Sequence, residues 1–195
     1  VLLYPMLTLN RRAEKNRFLD VEDLLEKNNY LVKNLINIGK WNENKLILEG
    51  TGCLIFEHNT KFVYAAKSER CHSEQFANFV QLREYKKSFL FETKSSKGKP
   101  IYHTNVVMSI ADKFVVICSE CFVNENEKKE VLDSLSKTHH IIEITLEQME
   151  KNFCGNILQL KSNKNQPITV MSETAFEGFT EKQLSEISQY GKILA

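Results

Sequence analysis

Two residues able to move protons stand more than fifty positions apart: Glu49, in Leu48-Glu49-Gly50-Thr51-Gly52, and His103, in Tyr102-His103-Thr104-Asn105. A carboxylate, an imidazole and a carboxamide gathered at one point form a general acid/base kit. Singly, each has an ordinary explanation. A histidine ahead of a strand is commonly a turn or structural residue, and Glu-Gly-Thr-Gly is a small-residue turn with an acid attached. What lifts them above that reading is their equivalent position in a repeat.

Three segments share one grammar: a short apolar strand, a polar turn, a second strand, the dipeptide Ser-Glu, then an amphipathic helix. The first strand pair spans 53–56 and 62–66, the second 106–110 and 114–117, and the third 157–160 and 168–171. The Ser-Glu pairs at Ser68, Ser119 and Ser172 recur at intervals of 51 and 53 residues, the self-similarity of a repeat architecture. Apolar stripes at i, i+3, i+4 predict helices over 20–28, 73–83, 127–137 and 180–190; on the first, Val21, Leu24 and Leu25 share a face. Thr180 with Gln183 makes a capping box, Asn124 with Glu127 imitates one, and Gly191 is a C-terminal stop. Each helix leads into a further apolar strand, over 31–36, 88–91, 141–144 and from Ile193.

The unit is therefore strand–strand–helix–strand, in copies over about 1–38 (a rear half only), 46–92, 104–145 and 155–195. A single unit cannot bury its sheet, so neighbours stack in a row or around an axis. Radial closure protects strand edges and favours an α/β propeller with its helices outside. A sandwich of two α/β layers is the plainer alternative. A doubly wound nucleotide-binding sheet is disfavoured, because hairpins alternate with helices and no Gly-rich phosphate loop is present.

Register places residues 49–52, 102–105 and 154–156 just before the first strand of each unit. Around a propeller axis these starts converge on one mouth of the channel, which would bring Glu49 to His103. Cys154 sits at such a start and is the visible cysteine that could face the channel as a nucleophile. Cys53 reads as core and Cys71 as a helix-start residue. Cys118-Ser119-Glu120-Cys121 has the spacing of a redox pair or half a zinc site. It lacks a second C-x-x-C, and His139-His140 would point to opposite faces of a strand, so no metal is expected.

Composition narrows the partners. The 195 residues suit one domain, and 26 basic against 25 acidic residues leave a formal charge of +1. Nucleic-acid binders and polybasic membrane-surface proteins need a clustered positive excess, so neither partner is expected. No apolar run approaches the ~20 residues of a membrane span, and no signal-peptide pattern is visible. Five cysteines, an odd number, argue for a reducing, cytoplasmic setting rather than a disulfide framework.

The stretches Leu48-Glu49-Gly50-Thr51-Gly52, Ser68-Glu69-Arg70, Pro100-Ile101-Tyr102-His103-Thr104-Asn105-Val106 and Gly155-Asn156-Ile157-Leu158-Gln159-Leu160 resemble the guanidino-group-modifying superfamily of arginine deiminases, dimethylarginine hydrolases and amidinotransferases. Tyr4-Pro5-Met6 and Asn10-Arg11-Arg12 extend the likeness along the chain, nearest to the bacterial citrulline-utilisation, amidinotransferase-like branch. The resemblance implies a five-bladed α/β propeller, of which about three to four blades are present here. It implies a cysteine thiolate that attacks a guanidinium or ureido carbon, giving a covalent amidino intermediate released by water or an amine. His103 then matches the general acid/base, Glu49 the carboxylate that grips the guanidinium, and Arg70 the residue that binds a substrate carboxylate.

A planar, always-charged guanidinium needs carboxylate acceptors, and Arg70 offers a bidentate fork to an amino-acid end. Asn105 stands where arginine deiminases carry an aspartate; it removes one charge from the clamp and lines the pocket. The family's first blade and its nucleophilic cysteine are expected before Val1 and beyond Ala195. Neither hydrolase nor transferase is singled out, and a non-catalytic propeller scaffold or pseudoenzyme is the alternative. The resemblance implies no cofactor. Unpaired blade edges predict self-association, so the expected partners are a small guanidino or ureido substrate and further copies of the chain.

Overall fold

The second strand of each repeat is the fixed point of its sheet; in the first two repeats its residues are apolar on both faces and nearly all are buried. In the computed structural model, which describes residues 1–41 and 46–195, that strand is the centre of three sheets. The first sheet joins β3 (Ile55–Glu57), β4 (Phe62–Ala66) and β5 (Lys87–Phe91); β3 is antiparallel and β5 parallel to β4. The second joins β6 (Met108–Ile110), β7 (Phe114–Ile117) and β8 (His140–Glu143) in the same order and sense. The third repeats it with β9 (Leu158–Lys161), β10 (Pro167–Val170) and β11 (Lys192–Leu194). At the amino end β1 (Leu2–Leu3) pairs in parallel with β2 (Ile36–Asn37).

Helices supply the parallel crossovers: α1 (Leu9–Arg12) and α2 (Phe18–Lys27) between β1 and β2, and α4 (Ser73–Arg83) between β4 and β5. In the second sheet the crossover is α6 (Glu125–Leu135), and in the third α8 (Glu173–Gly178) with α9 (Glu181–Ser188). The Asn124 side chain accepts from the Asn126 and Glu127 amides, and Thr180 with Gln183 closes a full capping box. Alternation along β4 sends Tyr64 and Ala66 into one core cluster and Val63 and Ala65 into another. The larger cluster runs through β7 and under α6, where Val131 and Leu135 are buried.

The structure departs from the sequence expectation in four places. A helical turn precedes the first strand in two repeats, α3 (Gly50–Cys53) and α5 (Thr104–Val107), so those strands begin later than hydropathy suggests. The expected strand over 31–36 reduces to Ile36–Asn37, because its partner β1 has only two residues to pair. Helix α2 forms where expected, yet none of its residues is buried and Leu24 is 61% exposed, since the two-residue ladder beneath gives its stripe little to cover. A further helix, α7 (Leu146–Asn152), links the second and third sheets and carries its own capping box, Thr145 with Gln148.

Two contacts tie the second and third repeats: near the strand starts Asn156 Nδ2 donates to the Asn105 carbonyl at 3.2 Å, and at the β6–β7 turn the Asp112 amide donates to Gln159 Oε1 at 2.9 Å. Gly155 packs so tightly that a Cβ would overlap the Val106 carbonyl oxygen. Gly155→Ala should therefore destabilise the fold by roughly 1–3 kcal/mol in denaturant unfolding. Stability unchanged from the parent would show that this turn can relax away from Val106.

Candidate active site

Glu49 lies at the centre of the candidate site and has no exposed side-chain surface. Its neighbour Gly50 takes a left-handed φ of +53° against the Tyr4 ring, turning the chain immediately after the acid. The Glu49 amide donates to the Arg70 carbonyl at 3.1 Å, so these two residues are set by one backbone pairing. Oε1 accepts from the Leu7 amide at 2.9 Å. Oε2 lies 2.8 Å from His103 Nε2, 3.3 Å from Arg70 Nη1 and 3.8 Å from Arg11 Nη1. The structure thus brings Glu49, His103 and Arg70 together from three distant segments.

Neighbouring small and hydroxylic residues hold the imidazole. Gly52 lies under the ring: a Cβ there would stand 2.9 Å from Cε1. Thr104 Oγ1 donates to the Cys53 carbonyl at 2.6 Å and accepts from the Ala66 amide at 2.8 Å, tying the next residue to the first sheet. Ser68 Oγ donates to the Tyr102 carbonyl at 2.8 Å, which fixes the residue before it. Sequence reasoning missed Thr104, Ser68 and Gly52 as positioning residues, although all three lie inside motifs that it singled out.

Electrostatics follow from this enclosure. Burial alone would raise the Glu49 carboxyl, but the Leu7 amide, the His103 hydrogen bond and the Arg70 charge outweigh it and hold the acid below its ordinary range. Burial pulls His103 below the ordinary histidine value; Glu49 opposes this, and the Arg70 and Arg11 charges reinforce it. The imidazole is accordingly neutral at pH 7. Because an ionised carboxylate only accepts, Nε2 carries the proton toward Glu49 and Nδ1 keeps a lone pair.

A cavity of about 560 Å³ opens beside His103, with Tyr102, Asn105, Lys151, Phe153 and Asn156 on its wall. Arg70 is not on that wall: its guanidinium turns to Glu49 and lies over the Tyr102 ring, 5.2 Å from the centroid, with Nε buried and unpaired. Glu49 is likewise absent from that wall, and both of its oxygens have partners within the protein. Cys154 is fully buried and does not line this cavity; it donates to the Ala175 carbonyl at 3.5 Å, and burial pushes its thiol up to about 11. The other four cysteines are buried and unbridged too. Cys121 donates to the Cys118 carbonyl, while His140 is engaged by Glu186 at 2.8 Å.

The whole chain, residues 1–195, matches the family described as N,N dimethylarginine dimethylhydrolase, eukaryotic. The chain belongs to that family. With it comes membership of the guanidino-group-modifying amidinotransferase and arginine deiminase superfamily. No curated protein matches the sequence. Among solved structures, the chain is similar to the product-bound N-terminal domain of ArgZ, an arginine dihydrolase from the ornithine-ammonia cycle in Cyanobacteria. Identity there is 13%, the TM-score is 0.71, and the match covers 100% of this chain and 62% of that one.

AgrE, in its ternary complex with ornithine and NAD+, gives 14% identity and a TM-score of 0.70 over 100% of this chain and 25% of that one. SxtG, an amidinotransferase from Microseira wollei in the saxitoxin biosynthetic pathway, gives 13% and 0.61 over 99% and 59%. At such identities the likeness is one of fold, a mixed α/β fold shared by this family member and the three structures. The chain spans less than two thirds of each. Among the described residues, no helix is long and apolar enough to cross a membrane.

If Glu49 holds up the histidine pKa, Glu49→Gln should move the His103 titration further down, leaving burial and the arginine charges unopposed. The His103 ring resonance followed by NMR against pH measures this; an upward or absent shift would contradict the assignment. Gly52→Ala should displace the ring and abolish that dependence on residue 49.

Proposed function

We propose that the chain is part of a cysteine-dependent enzyme that hydrolyses, or transfers the amidino group from, a guanidino or ureido compound. The observation that carries this is the 2.8 Å contact between buried Glu49 and Nε2 of His103, a histidine that also lines an open cavity. In this reading Glu49 orients the imidazole and stabilises its protonated form, and Arg70 balances the Glu49 charge. His103 takes and returns the protons of the two half-reactions. Asn105 meets the planar group of the substrate, its side-chain amide making no hydrogen bond among the described residues. Two relatives in fold named as an arginine dihydrolase and an amidinotransferase support the substrate class.

The attacking thiolate is proposed to come from residues following Ala195, since each of the five cysteines present is buried away from His103's cavity. The three like sheets and the β1–β2 pair are proposed as successive units of a five-bladed α/β propeller, about three to four blades of it. The citrulline-utilisation branch is the proposed neighbourhood within the superfamily. A reducing cytoplasmic setting suits five unbridged cysteines.

The protein with its flanking sequence should be alkylated by 2-chloroacetamidine, whose amidinium mimics the guanidinium beside a displaceable chloride. His103→Ala should cut turnover by roughly 10²–10⁴-fold without unfolding the domain. A folded protein that resists labelling would overturn the catalytic reading in favour of a scaffold, and retained turnover in the variant would remove His103 from the mechanism.

A further inference from the structure

The cavity beside His103 has a one-sided charge. Among the described residues that line it, none is an aspartate or glutamate, and Lys151 is the one lysine or arginine. The cation that sequence resemblance offers for a substrate carboxylate, Arg70, is engaged with Glu49 and stacked on Tyr102, off this wall. An anionic group entering the cavity therefore meets Lys151. We infer that Lys151, rather than Arg70, is the residue of this cavity that recognises the carboxylate of the proposed amino-acid-like substrate. This inference rests on the proposed function.

The backbone under Lys151 is held firmly while its side chain is not. Helix α7 is closed at its start by the Thr145–Gln148 capping box. Gln148 Nε2 donates to the Gly178 carbonyl at 2.8 Å, and Asn152 Nδ2 to the Thr174 carbonyl at 3.3 Å. Phe153 then takes a left-handed φ of 56°, unusual for an aromatic residue, and turns the chain at the cavity wall with its ring 44% exposed. Together with Tyr102, Phe153 offers apolar surface to the aliphatic stem of a ligand whose charged end reaches Lys151.

Lys151 Nζ is paired with Glu147 one turn earlier, at 2.7 Å, but the two side chains are 72% and 70% exposed. Such solvent-screened pairs are weak and exchange readily for a charge-assisted bond to a ligand carboxylate. The lysine is thus an exposed arm on a helix whose backbone is tied by hydrogen bonds at both ends.

L-Arginine and agmatine share a guanidinium and differ by the carboxylate, and L-citrulline tests the ureido form. Their dissociation constants for the protein with its flanking sequence, measured by calorimetry, separate the two claims. The parent should bind arginine or citrulline about tenfold or more tighter than agmatine. Lys151→Met should weaken the carboxylate-bearing ligand by about tenfold and leave agmatine within about twofold. Glu147→Gln, which frees the lysine, should bind that ligand at least as tightly as the parent.

An unchanged preference in Lys151→Met, or equal loss for all ligands, would overturn the role of Lys151 and leave the guanidino reading standing. Loss of the carboxylate preference in Arg70→Met, with Lys151→Met inert, would return the role to Arg70. No binding of any of the three by the folded parent would overturn the guanidino and ureido reading, and this inference with it.

Discussion

A carboxylate with no contact to water must be answered by positive groups and N–H donors, and Glu49 is answered from four places in the chain. Leaving such a charge unpaired costs several kcal/mol, so the segments that carry its partners are held to one arrangement. The amino-terminal segment is drawn in through the Leu7 amide and Arg11, the first repeat through Arg70, and the second through His103. The same contact that settles the acid selects the histidine tautomer. Local stability and the proton-handling state of the site are therefore consequences of one buried ion.

Around that ion the molecule divides into a rigid half and an open half. Thr104, Ser68 and Gly52 fix the imidazole from beneath and from both sides along the chain, through hydrogen bonds and the lack of a side chain. Beyond the ring the wall changes character: a carboxamide at Asn105 with no hydrogen bond among the described residues, two exposed aromatic residues and an exposed lysine.

Much of the framework could be read from residue patterns. The paired apolar runs and Ser-Glu spacing located three hairpins, and the stripe over 73–83 became α4 with the same bounds. Where two polar commitments competed, pattern failed. The runs beginning at Cys53 and Val106 look like strands throughout, yet their first residues wind into helical turns, because Gly50 takes a left-handed φ and Thr104 is stapled to the neighbouring sheet. Helix α7 had a legible capping box at Thr145 and Gln148, but at seven residues it is too short for a strong apolar period.

Residue type and spacing by themselves determined the repeat and its hairpins, and singled out an acid and an imidazole at equivalent positions within it. These follow from local periodicity, which depends on near neighbours. The tertiary structure alone decided which groups those side chains face: that Glu49 holds the histidine, that Arg70 is spent on Glu49, that Cys154 is core, and that Lys151 reaches the cavity. Each is a choice among partners more than twenty positions away or on another repeat, and only packing brings those partners within hydrogen-bonding distance.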